Sequence, residues 1–154
     1  MRLLSLFDGT GSISKPFAEA GWEVQTLDID GRHGATLVQD IRTWDYAQEP
    51  CPDVLFAGVP CEQYSCANTR GRRNLALADS LVCKTSEIIQ HFELQNPDLL
   101  WFIENPDSSL LWRRPVGTCL TPQFTGPLRI RRALEEANAP RNERWLCAAA
   151  TLRP

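Results

Sequence analysis

The sequence predicts a single α/β domain built on a mostly parallel sheet with flanking helices. Two observations carry this reading. Short apolar runs at residues 3–7, 54–58 and 99–103 alternate with helical patterns, the arrangement that yields parallel strands with helices on both sides. The residues best suited to chemistry also stand directly after those runs, at what would be the carboxyl edge of the sheet, where open α/β sheets bind ligands.

Each element follows in order. Leu3-Leu4-Ser5-Leu6-Phe7 is nearly all apolar, as expected of a strand covered on both faces. A glycine turn comes next, Asp8-Gly9-Thr10-Gly11, then a helix over residues 13–20. Pro16 falls in its first turn, where a missing N–H costs little, and Gly21 is placed to end it. A second strand, residues 23–27, runs into Asp28-Ile29-Asp30 and completes a strand–helix–strand unit. Residues 31–50 read as mixed connections around Val38-Gln39-Asp40-Ile41. The next strand is residues 54–58, followed by a polar stretch from Glu62 to Asn74. A long helix over residues 75–94 is marked by Leu77, Ala78, Leu81, Val82, Ile88, Ile89 and Phe92 at helical spacing, with a polar gap at Thr85. Asn96-Pro97 stops it, and a further strand spans residues 99–103.

The chain has 154 residues, enough for one domain with a real core. No segment approaches the roughly 20 apolar residues of a membrane helix, and the N-terminal run is interrupted too early to be a signal peptide. An intracellular protein, cytoplasmic or nuclear, is expected. None of the six cysteines forms a Cys-x-x-Cys pair, and the two histidines, His33 and His91, lie far apart in sequence. No metal site is therefore expected, and most of the thiols are expected to be reduced. The net charge of −3 conceals an asymmetry: residues 113–154 hold eight arginines and three glutamates, net +5, against −8 for residues 1–112. An acidic body binds phosphate poorly, so contact with nucleic acid would have to come from local basic clusters.

Several residues invite a chemical reading beside a plain one. Gly9 and Gly11 suit a tight turn or the close approach of a ligand. Asp28 stands where nucleotide-binding α/β folds hold a ribose; its plain reading is a helix cap or a solvated loop acid, and together with the glycine turn it favours a nucleoside-bearing cofactor. Cys61 follows Pro60 in a turn beyond a strand; a free cysteine is most often a small buried hydrophobe, but as a thiolate it is a strong nucleophile. Glu104 follows five apolar residues, where partial burial would raise its pKa and make it a proton donor. Arg70, Arg72 and Arg73 cluster on a glycine-bearing loop, as solvated charge or as phosphate contacts.

Taken together, these residues resemble the DNA (cytosine-5) methyltransferase family. Phe7-Asp8-Gly9-Thr10-Gly11 looks like its Phe-x-Gly-x-Gly cofactor turn. Asp28-Ile29 and Asp40-Ile41 match its second and third acidic positions. Gly58-Val59-Pro60-Cys61-Glu62-Gln63-Tyr64-Ser65 is similar to its Gly-x-Pro-Cys-Gln-x-Phe-Ser loop, and Glu104-Asn105-Pro106 to its Glu-Asn-Val box. Order and spacing agree over residues 3–112.

The resemblance implies a Rossmann-like fold that binds S-adenosyl-L-methionine and acts on DNA. Phe7, Asp8, Gly9, Gly11, Asp28, Ile29, Asp40, Ile41 and Pro60 would surround the cofactor, with Asp28 on the ribose and Asp40 and Ile41 at the adenine. Cys61, Glu104 and Asn105 would form the catalytic set. Cys61 would attack C6 of an extruded cytosine while Glu104 engages N3, and C5 would then accept the methyl group. Arg70, Arg72 and Arg73 would contact DNA.

The sequence departs from the family pattern at Glu62 and Pro106, and more strongly after residue 114. Residues 1–114 carry the cofactor and nucleophile motifs. Residues 115–154 read as an Arg/Pro-rich, weakly ordered tail with a short helix over residues 130–137 and no target-recognition region. The break near Arg113 points to a truncated chain or an altered reading frame. The alternative to a stand-alone enzyme is a catalytically silent remnant, or one half of a split methyltransferase whose second chain supplies target recognition.

Overall fold

A computed structural model of the chain describes residues 1–65, 67–69 and 71–105. The tail, residues 115–154, with its expected helix, lies outside the described residues, as does Pro106.

Five strands form one all-parallel sheet. In chain order the elements are β1 (Arg2–Leu6), α1 (Ser14–Glu19), β2 (Glu23–Asp28), β3 (Leu37–Val38), β4 (Val54–Gly58), α2 (Leu75–Gln95) and β5 (Leu100–Glu104). The strand order is β3-β2-β1-β4-β5, so the chain winds outward from β1 in one direction and then in the other. This is the α/β class predicted, consistent with a Rossmann-like methyltransferase fold. The order reverses beside β1, which puts a crevice between the turns after β1 and β4.

Register explains the core. Leu37, Leu27, Leu6, Ala57 and Ile103 are successive cross-strand partners and form one row through the sheet. Leu4 and Leu55 pair in the row behind. Alternation along each strand sends these residues to one face. There they join Ala78, Val82, Ile88, Ile89 and Phe92 of α2 in a single buried cluster. The intervening positions belong to the opposite face, where Phe56 and Phe102 stack at 6.4 Å between ring centroids.

α2 starts where Asn74 accepts a hydrogen bond from the Leu77 amide, satisfying one of the donors every helix leaves unpaired at its start. It ends at Asn96, held extended by the proline that follows. The polar gap at Thr85 is not a break in the buried stripe. Thr85 is fully buried, and its hydroxyl donates to the Leu81 carbonyl one turn back.

The boundaries of β1 and β5 each differ from expectation by one residue. Phe7 leaves β1 because its backbone turns left-handed (φ 58°). β5 takes in Glu104 because it pairs with Gly58 of β4. The mixed region 31–50 resolves into two single-turn 3-10 helices, Gly31–His33 and Tyr46–Gln48, flanking the two-residue β3. No helix among the described residues is long and apolar enough to cross a membrane.

Candidate active site

The site grows from the carboxyl edge of the sheet, strand by strand. After β1 the chain makes a turn in which Phe7, Gly9 and Gly11 all have positive φ, at 58°, 51° and 74°. Phe7 carries a side chain into this region, at a cost of about 1–2 kcal/mol, so the surrounding contacts must hold it there. Those contacts are visible. The Phe7 and Asp8 amides both donate to the Leu27 carbonyl, and the Gly9 amide donates to Asp28 Oδ2 at 2.8 Å. The Asp8 carboxylate accepts the Ser5 hydroxyl at 2.6 Å and the Ser14 hydroxyl at 2.7 Å. A Cβ at Gly11 would crowd Lys15, whereas one at Gly9 would meet nothing within 4 Å. The space beside Gly9 is open, and only the backbone angle there demands glycine.

Asp28 closes β2 and faces this turn. Its second oxygen accepts from the Asp30 amide at 2.8 Å, so both carboxylate oxygens hold backbone. Each oxygen has further lone-pair capacity for a hydroxyl group. Beside it, Ile29 is 71% exposed at the sheet edge. The Gln39 amide donates to the Asp28 carbonyl, which brings Asp40 alongside. Asp40 is gripped by the backbone and guanidinium of Arg42, which holds its carboxyl below the usual carboxylate range. Ile41 is 3% exposed and packs in the main core, so only its backbone could meet a ligand.

The second half of the site rises from β4 and β5. An added Cβ at Gly58 would lie 3.6 Å from the Phe7 carbonyl oxygen, so the glycine turn and the Cys61 turn are neighbours. Gly58 is also the register partner of Glu104. Asn105 is fully buried and donates from Nδ2 to the Val59 carbonyl at 2.7 Å, tying the end of β5 to the start of the Cys61 turn. Its Oδ1 is buried without a hydrogen-bond partner among the described residues. Pro60 and Cys61 are half-buried, and the Cys61 thiol is free. Cys51 is a free thiol too, whereas Cys83 is in a disulfide.

Glu104 is half-buried, and desolvation alone pushes its carboxyl above the usual range. The folded state therefore holds this proton more tightly than the unfolded chain does. The resulting destabilisation grows as pH rises from the ordinary carboxylate value through the raised one, and is complete above it. Glu104→Gln cannot ionise. Its melting temperature relative to wild type should be higher at pH ~8 than at pH ~4. Thermal melts of both proteins at both pH values check this, and an unchanged difference would show that Glu104 is not desolvated.

Of the three loop arginines, Arg72 is exposed and Arg70 lies outside the described residues. Arg73 turns inward, donating to the Gln63 carbonyl at 2.8 Å and the Asn68 carbonyl at 3.0 Å. The structure thus brings together Phe7, Asp8, Gly9, Gly11, Asp28 and Asp40 on one side of β1, and Pro60, Cys61, Glu104 and Asn105 on the other.

Sequence reasoning missed two contributors: Ser5 and Ser14. Ser5 did leave a signal, as the one polar residue in an apolar strand. A buried hydroxyl needs a partner, and Asp8 three residues on was within reach.

No protein-family model matches the chain. Over 70 residues the chain is 37% identical to a protein of Frog virus 3 (isolate Goorha) named as a probable DNA (cytosine-5)-methyltransferase. The matched stretch covers 42% of this chain and 31% of that protein, so the chain spans about a third of its relative's length.

Proposed function

We propose that the protein is a DNA (cytosine-5)-methyltransferase in which Cys61 is the nucleophile and Glu104 the proton donor. The observation that carries the reading is the pairing of Gly58 with Glu104 in adjacent parallel strands. It sets a free thiol and a carboxyl of raised pKa on one sheet edge, next to a glycine turn. The partial likeness to the viral protein supports the same class.

S-adenosylmethionine is the methyl donor this reading requires, and the residues present fit a nucleoside. The open space at Gly9, the Asp28 carboxylate with spare acceptor capacity and the exposed Ile29 side chain line one edge. Phe7, Asp8, Gly9, Gly11, Asp28, Ile29, Asp40, Ile41 and Pro60 would hold it. Bound there, it would supply the methyl group that C5 of the base accepts.

This chain's own residues would do the rest. Cytosine carbon is too weak a nucleophile to be methylated directly, so the ring must first gain electrons. The Cys61 thiolate adds to C6, forming an S–C6 bond and driving the C5–C6 π electrons into the ring. Glu104 gives its proton to N3, so that no negative charge accumulates on the base. After methylation, C5 loses its proton to a base and the electrons of that bond expel the Cys61 thiolate, while N3 returns its proton to the Glu104 carboxylate, restoring the double bond and the neutral ring. Asn105 holds the Cys61 turn through the Val59 carbonyl. The target base must leave the duplex to reach the thiol, and the exposed Arg72 is suited to a backbone phosphate.

The test is covalent trapping on duplex DNA containing 5-fluorocytosine, with S-adenosylmethionine present. Fluorine cannot leave as a proton would, so the S–C6 bond persists and a denaturation-resistant adduct is expected. No adduct, with cofactor binding demonstrated by calorimetry, would favour the alternative: a silent remnant, or a half-enzyme that needs a second chain.

A further inference from the structure

The Cys61 turn carries a device that the reaction scheme leaves unused. The Cys61 carbonyl oxygen accepts from the Tyr64 amide at 2.9 Å and from the Ser65 amide at 2.7 Å, so Cys61 and Tyr64 move as one tight turn. Tyr64 is 0% exposed and its ring belongs to the main core. Its hydroxyl donates to Asp79 Oδ1 at 2.7 Å. Asp79 lies on α2, whose start is tied back to the same loop: the Asn74 amide donates to Gln63 Oε1 at 2.7 Å.

Packing alone fixes where a buried ring sits. A hydrogen bond to a carboxylate adds direction, and a charge-assisted one is stronger than a neutral one. We propose that Tyr64 and Asp79 are positioning residues, which lock the Cys61 turn onto α2 and thereby set the approach of the Cys61 sulfur to the base. The inference rests on Cys61 being the nucleophile. Neither residue touches the substrate; both act through the Cys61 backbone.

Tyr64→Phe removes the hydroxyl and keeps the ring. Asp79→Ala removes the acceptor, and Asp79→Asn keeps an acceptor oxygen. Adduct formation on 5-fluorocytosine DNA should slow about tenfold in Y64F and in D79A, the loss expected for one hydrogen bond to a charged group. The double variant should be no slower than D79A, because the Tyr64–Asp79 bond is already lost there. D79N should recover most of the rate, and S-adenosylmethionine affinity should be the same in all variants.

A second readout stands apart from catalysis. Alkylation of Cys61 by iodoacetamide, followed by peptide mapping, should speed up in Y64F and D79A as the turn loosens, with Cys51 in the same sample unchanged. Melting curves identify any variant that fails to fold, and D79N with Y64F still decides the matter should D79A do so. If wild type forms an adduct and the variants match it in both rates, the positioning role is wrong and the proposed function stands. If wild type forms no adduct, the proposed function fails, and unchanged Cys61 alkylation in the variants would overturn the lock as well.

Discussion

Replacing Cys61 with serine is expected to reduce methyl transfer to background, a loss on the order of 10⁴-fold or more, as when other covalent catalysts lose their nucleophile. The reason lies in ionisation rather than shape. Serine is nearly isosteric, but its hydroxyl stays protonated at neutral pH, whereas a thiol yields a useful fraction of a more nucleophilic anion. The turn should survive, because it is held through backbone atoms: the Cys61 carbonyl accepts from the Tyr64 and Ser65 amides, and Val59 is tied to Asn105. S-adenosylmethionine affinity should therefore be unchanged. The companion change Glu104→Gln should cost less, about 10²–10³-fold, since an amide can still donate a hydrogen bond to N3 but cannot deliver a proton. Incorporation of labelled methyl groups into DNA measures both. A serine variant that kept about a tenth of the wild-type rate would remove the covalent step from the mechanism.

The strands were legible because a doubly covered parallel sheet writes itself as uninterrupted apolar runs. Residues 54–58 were bounded correctly at both ends, and α2 to within one residue. β3 was not legible. It has two residues, Val38 is exposed, and two pairings with β2 are too few to leave a pattern. The left-handed Phe7 was equally hidden, because no residue preference signals it. At the site, the sequence located Asp28, Cys61 and Glu104 by their places after strands. It did not tell which polar groups are already engaged. Asp8 read as a member of the cofactor turn, yet its carboxylate is occupied by Ser5 and Ser14. Arg73 read as solvated charge or as a DNA contact, and in the fold it also braces the Cys61 loop through two carbonyls. The Ser14 and Arg73 pairings join residues that only the folded chain brings into reach, so local pattern carries no trace of them.

Asp28→Ala is expected to have the largest effect on the cofactor side, in two separable ways. The first is structural. Asp28 accepts from the Gly9 and Asp30 amides, both at 2.8 Å, and alanine leaves both donors without that partner. A buried orphan costs about 1–3 kcal/mol, and partial access to water here should limit the total to about the same range. For a domain of roughly 100 residues that is a fall of about 5–15 °C in melting temperature. Asp28→Asn keeps one acceptor oxygen but turns an NH₂ towards the other amide, so its melting temperature should fall in between. The second effect is on binding. Without Asp28 the Gly9 amide loses its tie to β2, leaving only the Phe7 and Asp8 amides on the Leu27 carbonyl to hold the turn, and the acceptor proposed for the ribose is gone. S-adenosylmethionine affinity should drop about 100-fold, equivalent to roughly 2.7 kcal/mol, the loss of one good charged hydrogen bond. Calorimetry well below the melting temperature of the variant separates the two effects, since every molecule is then folded. Lower stability with wild-type affinity would make Asp28 a brace of the glycine turn and nothing more. Wild-type stability with lower affinity would mean that water or another group takes over the two amides. A loss of both is what a carboxylate shared between the turn and a ribose requires.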